Sequence, residues 1–235
     1  MDAFPTVTLG LGFILGVRHA MDADHVAAVS ALVSQHRSLA RSCLLGTFWG
    51  AGHTMALLAA GVAVIVFRLT ISPDVARGME MAVAVVLILL GGHVLFRSLG
   101  VWSLHRHEHS HDGRSHSHFH LHGSAEDSPG HIHLLKVGGR PFLVGFLHGM
   151  AGSAALMLLV LTTIPSPVRG LLYIFVFGIG STGGMLVLSG LIGIPFAVTA
   201  DRSGTVHATI QALAGAASLI LGLVLAWNLG VAALD

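Results

Sequence analysis

Of the 235 residues, 54% are hydrophobic and only 10% charged, and the mean hydropathy is +0.81; a soluble domain carries about 25% charged residues. The 30 glycines would each cost a water-exposed helix roughly 1 kcal/mol, yet in lipid they let helix backbones approach, so a soluble globular domain is excluded and a membrane domain expected. A formal net charge of +1 says little about partners and no basic block points to nucleic acid, while the single cysteine, Cys43, excludes both an internal disulfide framework and a thiolate metal cage within one chain.

Crossing about 30 Å of hydrocarbon takes roughly 20 apolar residues. Six stretches qualify: about 6–33, 42–67, 78–99, 141–163, 168–196 and 206–229. Met1-Asp2-Ala3-Phe4-Pro5 lacks a basic n-region, so the first stretch reads as a retained helix rather than a cleaved signal. That stretch is also the least pure, holding Arg18, His19, Asp22, Asp24 and His25. Ionisable groups inside a membrane segment are costly and face a cavity or a partner. On a regular helix His19, Asp22 and His25 share one broad side, while Asp24 points roughly 140° from His19. Either Asp24 stands behind a ligand or the helix breaks, and Gly10, Gly12 and Gly16 favour an unwound segment. Two imidazoles and a carboxylate offer nitrogen and oxygen donors suited to a borderline divalent ion. The plainer alternative is an Arg18–Asp22 ion pair among packed histidines.

Further along, His53 lies within the second stretch and His148 within the fourth. Each alone suits packing; with His19 and His25 they supply ligands from several helices, as a gated site requires. Ser72-Pro73-Asp74 reads as a helix start. Residues 103–136 form the one long polar segment, with His105, His107, His109, His111, His116, His118, His120, His122, His131 and His133 among Ser, Gly and Asp. Such composition forms no core, so the segment is expected to be disordered; clustered imidazoles make it a metal-gathering loop rather than a plain spacer. Pro165-Ser166-Pro167 and Asp201-Arg202-Ser203-Gly204 separate the last three stretches.

The halves resemble each other. Gly12-Phe13-Ile14-Leu15-Gly16 recurs as Gly145-Phe146-Leu147-His148-Gly149, and Gly50-Ala51-Gly52-His53-Thr54 as Gly178-Ile179-Gly180-Ser181-Thr182. The expected fold is all-α: six transmembrane helices as two inverted three-helix repeats, 1–102 and 137–235, around the loop 103–136, with the substrate site near midplane. Arg37, Arg41, Arg97, Arg140 and Arg202, with the loop cations, lie opposite Arg68, Arg77 and Arg169. The positive-inside rule then puts the loop in the cytoplasm and both termini outside a cell inner membrane.

The run Arg18-His19-Ala20-Met21-Asp22-Ala23-Asp24-His25-Val26-Ala27-Ala28-Val29 resembles the signature of the nickel/cobalt transporter family, which includes urease-accessory-type and related nickel/cobalt efflux membrane proteins. Gly52-His53-Thr54 resembles the family's second glycine–histidine motif. Ser30-Ala31-Leu32 departs from the Asp-Asn continuation of the best-matched permeases. The resemblance implies a carrier rather than an enzyme, with no cofactor and Ni²⁺ or Co²⁺ as bound substrate. The expected ligands are His19, Asp22 or Asp24, His25 and His53; Gly145-Phe146-Leu147-His148-Gly149 replaces the acidic pattern of those permeases, and His148 is the candidate from the second half by its position alone. Membrane lipid, the divalent ion and a cytoplasmic metallochaperone are the candidate partners. Uptake is the expected direction; the alternatives are proton-coupled efflux of the same ions, or membrane metal delivery to a nickel enzyme without transport.

Overall fold

An apolar run interrupted by acids and imidazoles does not continue as one helix. The computed structural model describes residues 3–100, 104–111, 114–121, 134–164 and 166–232, and there the first stretch is two helices, α1 (Ala3–His19) and α2 (Ala23–Val33). At the joint, Met21 N–H donates to the Arg18 carbonyl at 2.9 Å and Asp22 N–H to that of His19 at 3.0 Å. These bonds tighten the last turn before Asp22 goes extended, with φ −62° and ψ 148°. Of the alternatives for the stretch 6–33, the break is the one found: the polar run closes one helix and opens the next, turning Asp24 away from its place on a continuous helix.

Helix α3 (Leu39–Gly61) runs on through a π-helical turn, Val62–Val66. Helix α4 (Pro73–Ser98) starts as the sequence predicts, with Pro73 in the first turn and Ser72 Oγ accepting from Val75 N–H at 3.3 Å. Helices α5 (Leu134–Thr163), α6 (Pro167–Ala200) and α7 (Gly204–Val231) complete seven among the described residues. Four spans, Leu39–Val66, Pro73–Ser98, Pro167–Ala200 and Gly204–Val231, are long and apolar enough to cross a membrane among the described residues.

Part of the histidine-rich segment is described. Strands β1 (Leu104–His111) and β2 (Arg114–Leu121) pair antiparallel, with His105 opposite His120, His107 opposite His118 and His109 opposite His116. Histidine at every second residue has the period of a strand, and the register matches the two runs. His122, His131 and His133 lie outside the described residues.

Helix α3 is central, packed on α5 and α6; α1 lies along α6, α4 pairs with α7, and α2 touches α4, α6 and α7. Glycine makes these approaches. A Cβ on Gly16 would collide with the Phe177 backbone, one on Gly145 with that of Trp49, and one on Gly52 with that of Phe142. The α3–α6 crossing is reciprocal: Gly50 faces Thr182, Gly178 faces Thr54, and the threonine hydroxyls meet at 3.0 Å, with Thr54 also donating to the Gly178 carbonyl at 2.9 Å. In the α4–α7 pair Gly91 lies against the Leu219 backbone, and Ser218 donates to the Leu87 carbonyl at 3.0 Å.

Overpacking a filled contact costs about 1–3 kcal/mol or more. Gly52→Val is therefore expected to lower the melting temperature of the detergent-solubilised protein, while Gly78→Ala, where nothing lies within 4 Å, leaves it unchanged or slightly raised. Thermal unfolding of the two variants beside the parent checks this; equal melting would show that the backbone contact at Gly52 carries no weight.

Candidate metal centre

The break between α1 and α2 delivers four imidazoles and a carboxylate to one place. His19 ends α1, Asp24 and His25 open α2, and His53 and His148 lie near the middles of α3 and α5. Ring centroids are 4.6 Å apart for His19 and His25, 5.1 Å for His19 and His53, 5.2 Å for His25 and His53, and 4.2 Å for His25 and His148. His25, His53 and His148 are buried; His19 is partly so.

The hydrogen bonds divide the two acids. Asp24 Oδ1 sits 3.1 Å from His25 Nδ1 and accepts from its own neighbour's backbone, His25 N–H, at 2.9 Å; Asp24 Oδ2 sits 2.8 Å from His148 Nε2. Asp22 Oδ2 lies 2.8 Å from His19 Nδ1 and stays 54% exposed. The partner of Asp22 is thus His19, not the Arg18 of the ion-pair alternative. Asp22 stands behind a histidine, as carboxylates do behind metal-bound imidazoles, whereas Asp24 lies among the rings. Three ring nitrogens, His25 Nε2 and both of His53, are buried with no hydrogen-bond partner among the described residues. An orphaned polar atom in an apolar interior costs about 1–3 kcal/mol, and a cation is the group that lone pairs of neutral imidazoles satisfy.

Donor atoms of His19, His25 and His53 lie within 4.8 Å of one another, and so do those of Asp24, His25 and His148. The structure therefore brings together all six residues singled out in the membrane region: His19, Asp22, Asp24, His25, His53 and His148. It leaves aside His93, exposed on α4, and His207, whose Nδ1 lies 3.1 Å from the Thr199 hydroxyl. Met185 is core and Met21 is exposed.

Three site residues are not evident from the sequence. Trp49, fully buried, sets its ring 5.8 Å from His148 and 6.5 Å from His25; Phe177 lies 5.5 Å from His19. Gly152 faces His19, and a Cβ there would come within 3.9 Å of Nε2. Aromatic and glycine positions in an apolar helix carry no chemical mark, and the one signal for Trp49 is its spacing of four from His53.

Comparison with known proteins agrees with this chemistry. Over 231 residues the chain is 40% identical to the urease accessory protein UreH of Bacillus sp. (strain TB-90), covering 95% of this chain and 92% of that one. It is 25% identical over 171 residues to the chloroplast protein FOR GROWTH AND FERTILITY 2 of Arabidopsis thaliana, covering 72% of this chain but 42% of that longer protein. No solved structure matches. A family model, NicO, described as high-affinity nickel-transport protein, matches residues 6–227, and with nearly the whole apolar region inside that match the chain belongs to the NicO family, whose members are transport and accessory proteins rather than enzymes.

Proposed function

We propose that the protein carries Ni²⁺ or Co²⁺ inward across the cytoplasmic membrane as a secondary transporter. The observation that supports this most is the set of partnerless nitrogens of His25 and His53 beside His19, Asp24 and His148, halfway along an apolar bundle. Imidazole and carboxylate donors suit these borderline ions, and ligands divided among α1, α2, α3 and α5 let helix movement release the cargo. A membrane potential contributes roughly 2.3 kcal/mol per charge per 100 mV, about twice that for a divalent cation, so inward movement needs no coupled ion.

An inverted-repeat architecture belongs to the same reading. Thr54 meets Thr182, 128 residues on, and Gly91 meets Leu219 at the same spacing. Contacts between corresponding positions are what a two-fold relation between halves produces. With the arginine distribution, it gives termini outside and the histidine-rich segment in the cytoplasm, where His105, His107, His109, His111, His116, His118 and His120 gather metal and a metallochaperone exchanges it. The name of the 40%-identical relative, an accessory protein of urease, favours one second reading: metal delivery to a nickel enzyme without transmembrane flux.

Reconstitution separates them. Proteoliposomes are expected to take up nickel saturably, faster with the interior negative, and His25→Ala is expected to lower the rate at least about 100-fold. Wild-type flux equal to that of empty liposomes rejects transport and leaves delivery; nickel accumulation driven by a proton gradient in inside-out vesicles reverses the direction.

Affinity gives a second expectation. His25→Ala is expected to weaken nickel binding by about 100-fold, and His93→Ala and His207→Ala to leave it unchanged, by titration of protein whose ten loop histidines are replaced by glutamine. Equal effects at all three positions would remove the special standing of the buried cluster.

A further inference from the structure

The donors fall into two groups that meet at one ring. On one edge of His25, Nδ1 is 3.1 Å from Asp24 Oδ1, and the other oxygen of that carboxylate reaches His148 Nε2 at 2.8 Å. The other nitrogen, Nε2, has no partner among the described residues; the rings of His19 and His53 lie 4.6 Å and 5.2 Å from that of His25. Each triad holds its donor atoms within 4.8 Å, whereas His53 and His148 are 6.3 Å apart by ring centre.

A neutral imidazole has one lone pair available for a metal, its other nitrogen carrying a proton. His25 therefore serves one triad at a time. When Nε2 ligates, Nδ1–H donates to Asp24 and the carboxylate stands behind the ligand; when Nδ1 ligates, Asp24 is free to join it. The triads also differ in ownership. His19, His25 and His53 belong to α1, α2 and α3, all in the first half, while the other triad joins α2 to α5 of the second half. A shift of α5 would take the second triad apart and leave the first whole.

Resting on the metal-carrier reading above, we infer that the protein holds its ion at either of two mutually exclusive stations that share His25: an all-imidazole station of His19, His25 and His53, and a mixed station of Asp24, His25 and His148 that spans the two halves. The mixed station offsets one charge of the ion with a carboxylate; the all-imidazole station has its acids behind the rings, Asp22 behind His19 and Asp24 behind His25. An ion stepping between them leaves Nε2 of His25 for Nδ1 of the same ring, so all three bonds change and the ring's proton passes from Nδ1 to Nε2.

The test uses the full chain with the ten loop histidines replaced by glutamine, Co²⁺ as the probe, and both titration and X-ray absorption as readouts. One Co²⁺ per wild-type chain is expected. His148→Ala should still bind one ion within about tenfold of the parental affinity, its protein ligands all nitrogen. His53→Ala should also bind one, with a carboxylate oxygen among the ligands. His25→Ala, losing both stations, should fall by about 100-fold. If His148→Ala and His53→Ala each fall as far as His25→Ala, the site is single and undivided; two ions on the wild type would show that the stations are not exclusive. Either result overturns the inference. Apo-protein melting curves verify folding, and His148→Gln replaces His148→Ala if the latter melts early. Binding is read without flux, so wild type that shows both stations yet moves no ion overturns transport and leaves the stations standing.

Discussion

The rest of the structure depends on a solvation problem. Imidazole nitrogens on His25 and His53 are held inside an apolar bundle without a hydrogen-bond partner among the described residues, in a medium where an unmet polar group costs about 1–3 kcal/mol. Local features of the chain serve that arrangement. The polar run at 18–25 is too costly to lie along one lipid-facing helix, so the helix breaks and its acids turn toward imidazoles. Asp24 meets His25 and His148, and Asp22 meets His19. The carboxylates hold the rings of His19, His25 and His148, and donor atoms of His19, His25 and His53 lie within 4.8 Å of one another.

Bringing rings from four helices within about 6 Å of each other requires backbones closer than ordinary side chains permit. Glycine supplies that closeness where a Cβ would strike backbone atoms, at Gly16 against Phe177, Gly145 against Trp49, and Gly149 against His53. The contacts lie within a turn or so of the histidines, so the small residues act as spacers that set the width of the site. Trp49 and Phe177 then close it with aromatic walls. Composition, close packing and site are one design: an abundance of glycine unsuited to water lets the imidazoles converge inside an apolar bundle.

Much of this was legible beforehand because ionisable residues stand out against an apolar background. His19, Asp22, Asp24, His25, His53 and His148 each break a hydrophobic stretch, and the structure gathers all six. The break in the first segment was legible as a conflict, since no regular helix presents Asp24 beside His19; its place was not, because the turn depends on which neighbours the acids find. The division of labour between Asp22 and Asp24 was equally hidden, for it rests on α5 arriving beside Asp24. The period-two histidines were visible in the sequence; the register that sets His105 opposite His120 was not, because it depends on where the chain turns between the runs. Trp49, Phe177 and Gly152 carry no chemical label and become site residues only through packing.

The two-fold relation proposed between the halves makes the distribution of ligands informative. At the spacing of 128 residues that joins Thr54 to Thr182, the counterpart of His53 is Ser181, buried and with a hydroxyl that finds no partner among the described residues. At the spacing of about 133 residues that relates the first glycine motif to its copy, the counterpart of His19 is Gly152, which faces His19 itself, and that of His148 is Leu15. Where one half has a ligand, the other has a small or apolar residue. Two full ligand sets related by symmetry would crowd the axis with imidazoles and hold an ion equally on both sides, with no gradient in coordination to follow. A second half with small residues and His148 alone breaks that equivalence: on the proposed carrier reading, one half would bear the cargo, and the other would supply room and a single ligand that its own movement withdraws.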